Sequence, residues 1–329
     1  MFWDEPGEAW YTITFAWCRH RTGTGRIFAP LHALTRHLAR TSLELDGYRS
    51  HRVATSAGRV HVLEARGHGH LPPVVLLHGI SSAGAHFLPL LWRLRGRVRH
   101  LIAPDMPAHG FSDMPPVLSP QSLKDGLVEA MDAVVTEPSV IFGNSMGGIA
   151  AIHYALARPE RVRGLILASP SGASMNEEEL RRFVRTFQFD DHGGALDFVD
   201  RLFSRRNHMR HLFAWGVRRQ FQNPGVQGLL ASIDPSDLLR PEQLGALRMP
   251  VLLLWGRDER ILPRAHLEFF RAHLPEHTRI EEPEGLGHAP YLDDAGAVAR
   301  HILTFAADVH LGRAATPARL PLPVPSRAA

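Results

Sequence analysis

The feature that most constrains this chain is a short apolar run that ends abruptly in glycines. Val140, Ile141 and Phe142 pass directly into Gly143-Asn144-Ser145-Met146-Gly147-Gly148, and Ile149, Ala150, Ile152, Tyr154 and Ala155 follow. A short all-apolar run of this kind reads as a strand buried on both faces. Met146–Ala157 carries helical character. The segment therefore predicts strand, tight turn and helix in immediate succession, with a serine at the turn. Such a serine stands proud on a strained backbone. Small residues two before and two after it let strand and helix pass closely. The helix N-terminus lies beneath it and favours negative charge developing there. The alternative is a glycine-rich turn with an incidental serine, and the strand–turn–helix context argues against it.

The rest of the chain alternates in the same way. His51–Thr55 and Arg59–Ala65 predict a hairpin around Ala57-Gly58. Val74–Leu77, Leu101–Ala103, Val162–Ala168 and Val251–Trp255 predict further buried strands, with helices between them over Gln121–Val135, Met146–Ala157 and His266–His273. This alternation points to an α/β fold with a doubly wound, mostly parallel sheet. It breaks between Ser171 and Met249, a stretch rich in arginine and phenylalanine that reads as an inserted helical lid. The expected organisation is an N-terminal extension over 1–50, a core over 51–170, a lid over 171–248, a second core part over 249–312 and a disordered Pro/Ala-rich tail over 313–329.

Composition narrows the function. The chain has 329 residues, and 44% are hydrophobic, enough for one large domain with an insertion. The single cysteine, Cys18, excludes an intrachain disulfide framework and a cysteine-based zinc site. The formal charge is +4, with a pI near 9.8. The basic residues are scattered, however, and Lys124 is the only lysine among them. No clustered basic face or known module suggests a nucleic-acid partner. No apolar run reaches the ~20 residues of a membrane span, and the acidic start does not read as a secretory signal, so a cytoplasmic protein is expected. Trp3, Trp10, Tyr11, Phe15 and Trp17 precede a short amphipathic helix over Pro30–Arg40. That helix reads as packed on the body; weak contact with a membrane surface is the other reading.

A serine hydroxyl is a poor nucleophile until a base takes its proton. Among 21 histidines, position and flanking glycines single out His288 in Gly285-Leu286-Gly287-His288-Ala289-Pro290-Tyr291. His153 reads as an ordinary helix residue, and His68 and His70 as exposed turn residues. There is no H-E-x-x-H, and neither metal nor cofactor is expected. The acid that would orient the histidine is expected after Val251–Trp255, where Asp258 and Glu259 stand side by side. An oxyanion hole needs two backbone N–H groups. Met146 follows the serine directly, and Ile80 lies in the loop His78-Gly79-Ile80-Ser81-Ser82 after Val74–Leu77.

In this arrangement the chain resembles the α/β-hydrolase superfamily from roughly residue 51 to 309. Four landmarks follow in the family's order. They are His78-Gly79, then Asp105-Met106-Pro107-Ala108-His109-Gly110-Phe111-Ser112, then the serine turn, then Gly287-His288. Ala108 departs from the family, which usually has glycine there. The family's acid usually takes the last place of G-x-x-D, and counting from Gly256 puts Glu259 there, with Ile261-Leu262-Pro263 in register. The family residue is ordinarily Asp, so Glu259 is favoured by register and Asp258 by type. Asn144-Ser145-Met146-Gly147-Gly148 is similar to two branches, the monoacylglycerol-lipase-like esterases and the carbon–carbon hydrolases of aromatic degradation. The loop His78–Ser82 lacks the second branch's glycines, and Ala289 stands where that branch has Trp. The resemblance thus implies a serine esterase acting through an acyl-enzyme on a small ester or acyl substrate. Carbon–carbon cleavage of a ring-fission diketone is one rival, and a non-catalytic lipid- or partner-binding module the other. Oligomeric state is not legible.

Overall fold

A computed structural model describes residues 29–314, with side chains from Arg36 onward. The predicted aromatic start and most of the Pro/Ala-rich tail lie outside the described residues. The described residues begin with α1 (Ala29–Leu45), β1 (Arg49–Thr55), β2 (Gly58–Arg66), β3 (Val74–Leu77), α2 (Leu88–Arg95) and β4 (His100–Pro104). Then follow α3 (Pro120–Val134), β5 (Ser139–Asn144), α4 (Met146–Ala157) and β6 (Val162–Ala168). Five helices come next: α5 (Glu177–Arg185), α6 (His192–Leu202), α7 (Arg210–Phe221), α8 (Pro224–Ser232) and α9 (Pro241–Gly245). The chain returns to the sheet with β7 (Val251–Leu254), α10 (Arg264–His273) and β8 (Arg279–Glu281), and ends in α11 (Pro290–Asp293) and α12 (Ala295–His310).

The eight strands form one sheet in the order β1-β2-β4-β3-β5-β6-β7-β8. β2 runs antiparallel to β1 and β4, and every pair from β4 to β8 is parallel. This is the expected mostly parallel, doubly wound sheet. Every residue of β3 and β5 is buried, which explains why these strands read as continuous apolar runs. Alternate side chains serve opposite faces. Val75, Leu77 and Ile141 pack with Leu127, Met131 and Ile152 of α3 and α4. Val74, Leu76, Val140 and Phe142 pack with Leu90, Leu94 and Ile302 of α2 and α12.

β3 and β5 are neighbours, and the connection leaving β3 runs to β4 on one side while that leaving β5 runs to β6 on the other. Open α/β sheets form a crevice at such a switch point, outside the carboxyl ends of the strands. The loop beginning at His78 and the turn at Ser145 both open there. Among the described residues, no helix is long and apolar enough to cross a membrane.

Candidate active site

Ser145 joins β5 to α4 with φ 54° and ψ −120°. A side chain rarely adopts that backbone, and the neighbouring glycines make it accessible. A Cβ on Gly147 would lie 2.1 Å from the Leu77 carbonyl oxygen, and one on Gly143 would lie 2.2 Å from the Gly147 carbonyl oxygen. Only hydrogen fits at either place. Strain is not confined to this turn. The non-glycine residues with positive φ among those described are Ser81, Ala108, Ser145 and Ser169. They follow β3, β4, β5 and β6 respectively, so all four lie at the carboxyl edge of the sheet, where strain collects at functional sites. Ala108 keeps a left-handed turn without the glycine that usually permits it.

Backbone bonds anchor the serine. Its N–H donates to the Ala168 carbonyl (3.1 Å), and its own carbonyl accepts from Gly148 (2.8 Å) and Ser171 (3.0 Å). Met146 opens α4, so its N–H has no carbonyl one turn back to bond. The other candidate oxyanion donor is aimed by His78. Nε2 of His78 accepts from the Met106 N–H (3.0 Å), so Nδ1 carries the proton and donates to the Gly79 carbonyl (2.8 Å). That carbonyl and the Ile80 N–H belong to one trans peptide and point in opposite directions. The Ile80 N–H is therefore turned away from buried His78. A Cβ on Gly79 would lie 3.3 Å from Cβ of Ser145, so this loop runs alongside the serine.

The two carboxylates after β7 diverge. Glu259 Oε2 meets His288 Nδ1 at 2.8 Å, while Oε1 accepts from the Ile261 (2.7 Å) and Leu262 (2.9 Å) N–H groups. Asp258 instead accepts from the Gly285 N–H at 3.1 Å. The structure thus joins Glu259 to His288 and turns Asp258 to the loop before it. Burial opposes ionisation of Glu259, but the charge and hydrogen bond of His288, with the Leu262 N–H, outweigh it and hold its carboxyl below the ordinary glutamate value. A carboxyl depressed in the folded state contributes stability above its unfolded pKa of about 4.3 and loses it as pH falls through the lower folded value. In thermal unfolding from pH 7 to 3, the gap between wild type and Glu259→Gln should therefore hold down to about pH 4.3 and close below it. A gap that closes near neutrality would show that Glu259 is not held ionised.

Two residues that sequence reading passed over brace the histidine loop. Asn144 Nδ2 donates to the carbonyls of Ala168 (3.0 Å) and His288 (2.9 Å). Asp293 accepts from the Gly287 N–H (2.7 Å) and from Ser204. Asn144 occupies a variable place of the G-x-S-x-G pattern, so nothing in the motif flagged it. Asn144→Leu should cost about 1–3 kcal/mol of stability, because the buried His288 carbonyl loses the donor it has in Asn144, while the Ala168 carbonyl keeps the Ser145 N–H. It should lower activity alongside. Denaturant unfolding checks the first effect, and an unchanged midpoint would show the braces to be idle. His266 of α10 is also buried near this pair; burial pushes it down to about 4.

A cavity of about 390 Å³ lies between α3–α4 and the inserted helices. Ile80 and Met146 line it from the core, and Phe183, Phe187, Leu229 and Ile233 from the insertion. His153, expected as an ordinary helix residue, also faces it. Among the described residues no cluster of histidine, cysteine and carboxylate could hold a metal ion.

A serine strained between a parallel strand and a helix, a histidine bonded to a buried carboxylate, and a switch-point crevice together define the hydrolase class of α/β protein. The sequence profile of the alpha/beta hydrolase family matches residues 74–301, and the chain belongs to that family. It is 33% identical over 255 residues to the pimeloyl-[acyl-carrier protein] methyl ester esterase of Xanthomonas campestris pv. campestris, a match covering 73% of this chain and 96% of that protein. Naproxen esterase of Bacillus subtilis superposes with a TM-score of 0.64 at 20% identity, over 83% of this chain and 97% of that one. The 2-hydroxy-6-oxo-6-phenylhexa-2,4-dienoate hydrolase of Rhodococcus sp. strain RHA1 superposes with a TM-score of 0.67 at 24% identity, over 78% and 98%. At those identities the two structures attest the fold alone.

Proposed function

We propose that this protein is a serine hydrolase that cleaves a small carboxylic ester through an acyl-enzyme. The observation that carries this reading is the strained Ser145 turn, whose Asn144 bonds the His288 carbonyl (2.9 Å), together with the 2.8 Å His288–Glu259 pair. Ser145 Oγ attacks the ester carbonyl while His288 takes its proton. The Met146 and Ile80 N–H groups receive the oxyanion. His288 then gives the proton to the departing alcohol, and the Ser145 ester remains. Water, deprotonated by His288, attacks that ester, His288 returns the proton to Oγ as the bond to it breaks, and the acid leaves. Glu259 holds the imidazole tautomer throughout and faces the imidazolium charge. Residues 171–248 act as the lid over the acyl chain, and the core divides around them as 51–170 and 249–312.

The methyl ester esterase activity named for the 33%-identical relative supports ester cleavage here. So does Ala289 after His288. A second reading keeps the machinery and changes the bond. The Asn-Ser-Met-Gly-Gly turn, similar to that of the carbon–carbon hydrolases of aromatic degradation, favours carbon–carbon cleavage of a diketone. A fluorophosphonate probe and a panel of p-nitrophenyl esters and ring-fission dienoates decide. Stoichiometric labelling of Ser145 with ester turnover is expected. Saturating activity on a dienoate with esters inert would install the second reading, and no labelling would end both.

A further inference from the structure

The cavity beside Met146 is lined mainly by apolar side chains, with Lys124 and His153 among its polar residues. Met146, Ile149, Ala150 and His153 line it from α4, at the spacing that puts side chains on one helical face. Lys124 of α3 lines the same cavity, close enough to His153 for its charge to act there. Burial first, and then Lys124, push His153 down to about 4. It is therefore neutral at neutral pH and offers a hydrogen bond without a second charge. Lys124 is half-buried and has no ion-pair partner among the described residues. Two other charged groups line the cavity. Among the described residues Asp237 is the only carboxylate lining it, and one oxygen already accepts from the Asp234 N–H (3.0 Å). Arg240 is exposed. The cavity lining as a whole therefore carries two cations against one carboxylate.

A bound acyl chain displaces water from this lining. A wholly apolar chain would leave an ammonium desolvated without a partner, which is costly. An anionic chain end supplies the partner. The seven steps from Met146 to His153 rise about 10 Å along the helix. A saturated chain of about eight carbons, with C–C bonds of ~1.5 Å, spans that distance.

Resting on the ester reading above, we infer that Lys124, with His153 beside it, receives the free carboxylate of an acyl chain whose ester end lies at Ser145. The preferred substrates are then half-esters of medium-chain dicarboxylic acids. Water adds across the ester C–O bond, giving the alcohol, the dicarboxylate and one proton.

Two measurements test this. The first compares kcat/KM for monomethyl suberate with that for methyl heptanoate, in wild type, Lys124→Met and Lys124→Arg. Wild type should prefer the half-ester by about ten- to a hundredfold, the range for a hydrogen bond to a charged group. Lys124→Met should lose the preference and Lys124→Arg keep most of it. A preference equal in wild type and Lys124→Met overturns the proposal and leaves the ester reading intact. The second measurement needs no turnover. Lys124 is the only lysine, so its labelling by an amine-reactive succinimidyl ester can be read by mass spectrometry in the Ser145→Ala protein. Monomethyl suberate should protect it and methyl heptanoate should not. Equal labelling with both overturns the proposal. If neither ester turns over in the first assay, the ester reading fails, and the labelling alone decides the anion site.

Discussion

Replacing Ser145 with alanine is expected to lower ester turnover by roughly 10⁴–10⁶-fold, the loss seen when a hydrolase nucleophile is removed. The fold should survive. Alanine and serine both carry a Cβ, so the strain at φ 54° is the same in each. The backbone bonds from Ala168, Gly148 and Ser171 do not involve the hydroxyl. The melting temperature should therefore stay within a degree or two while fluorophosphonate labelling disappears. What activity remains would come from water attacking a carbonyl still held by the Met146 and Ile80 amides. Equal p-nitrophenyl ester turnover by variant and wild type would remove Ser145 from the mechanism. A collapse of folding together with activity would be separated from loss of chemistry by Ser145→Cys, which restores a nucleophile at the same place.

Glu259→Gln is expected to lower turnover by about 10⁴-fold, for a reason specific to this loop. Glu259 Oε1 accepts two backbone N–H groups, from Ile261 and Leu262. In the glutamine variant the amide oxygen takes that place, because an NH₂ there would face two donors. The NH₂ is then left facing His288 Nδ1, which must accept. The ring proton moves to Nε2, and the imidazole can no longer take a proton from the serine. Asp258→Asn should change turnover only a few-fold, since an amide oxygen still accepts from Gly285. Measured side by side, the opposite ranking would move the acid to Asp258.

The arrangement around these residues was unevenly legible. The β5–Ser145–α4 turn could be read directly, because its determinants are local. An apolar run, glycines at fixed offsets and a helical run occupy consecutive positions. The strands could be read for the same reason, since a parallel strand covered on both faces must be apolar throughout. Strand order was not legible at the level of registers, nor were the braces from Asn144 and Asp293. Their partners are carbonyl and N–H groups of distant loops, which no sequence pattern announces. His78 is similar: the His-Gly pair marks a strand end, but the link from Met106 through the ring to the Gly79 carbonyl appears only once β3 and β4 are side by side.

By itself the sequence determined the layered α/β fold and the serine at its tightest turn, since both follow from short-range periodicity and from steric limits on neighbouring residues. Only the tertiary structure decided which of two adjacent carboxylates faces His288. Successive side chains diverge, and their directions are set by the turn closed from Glu259 N–H to the Gly256 carbonyl and by the Ile261 and Leu262 amides beyond it. The same holds for Lys124 and His153. Each is an ordinary helix residue in sequence, and they line one cavity because the packing of α3 against α4 turns both toward the space beneath the inserted helices.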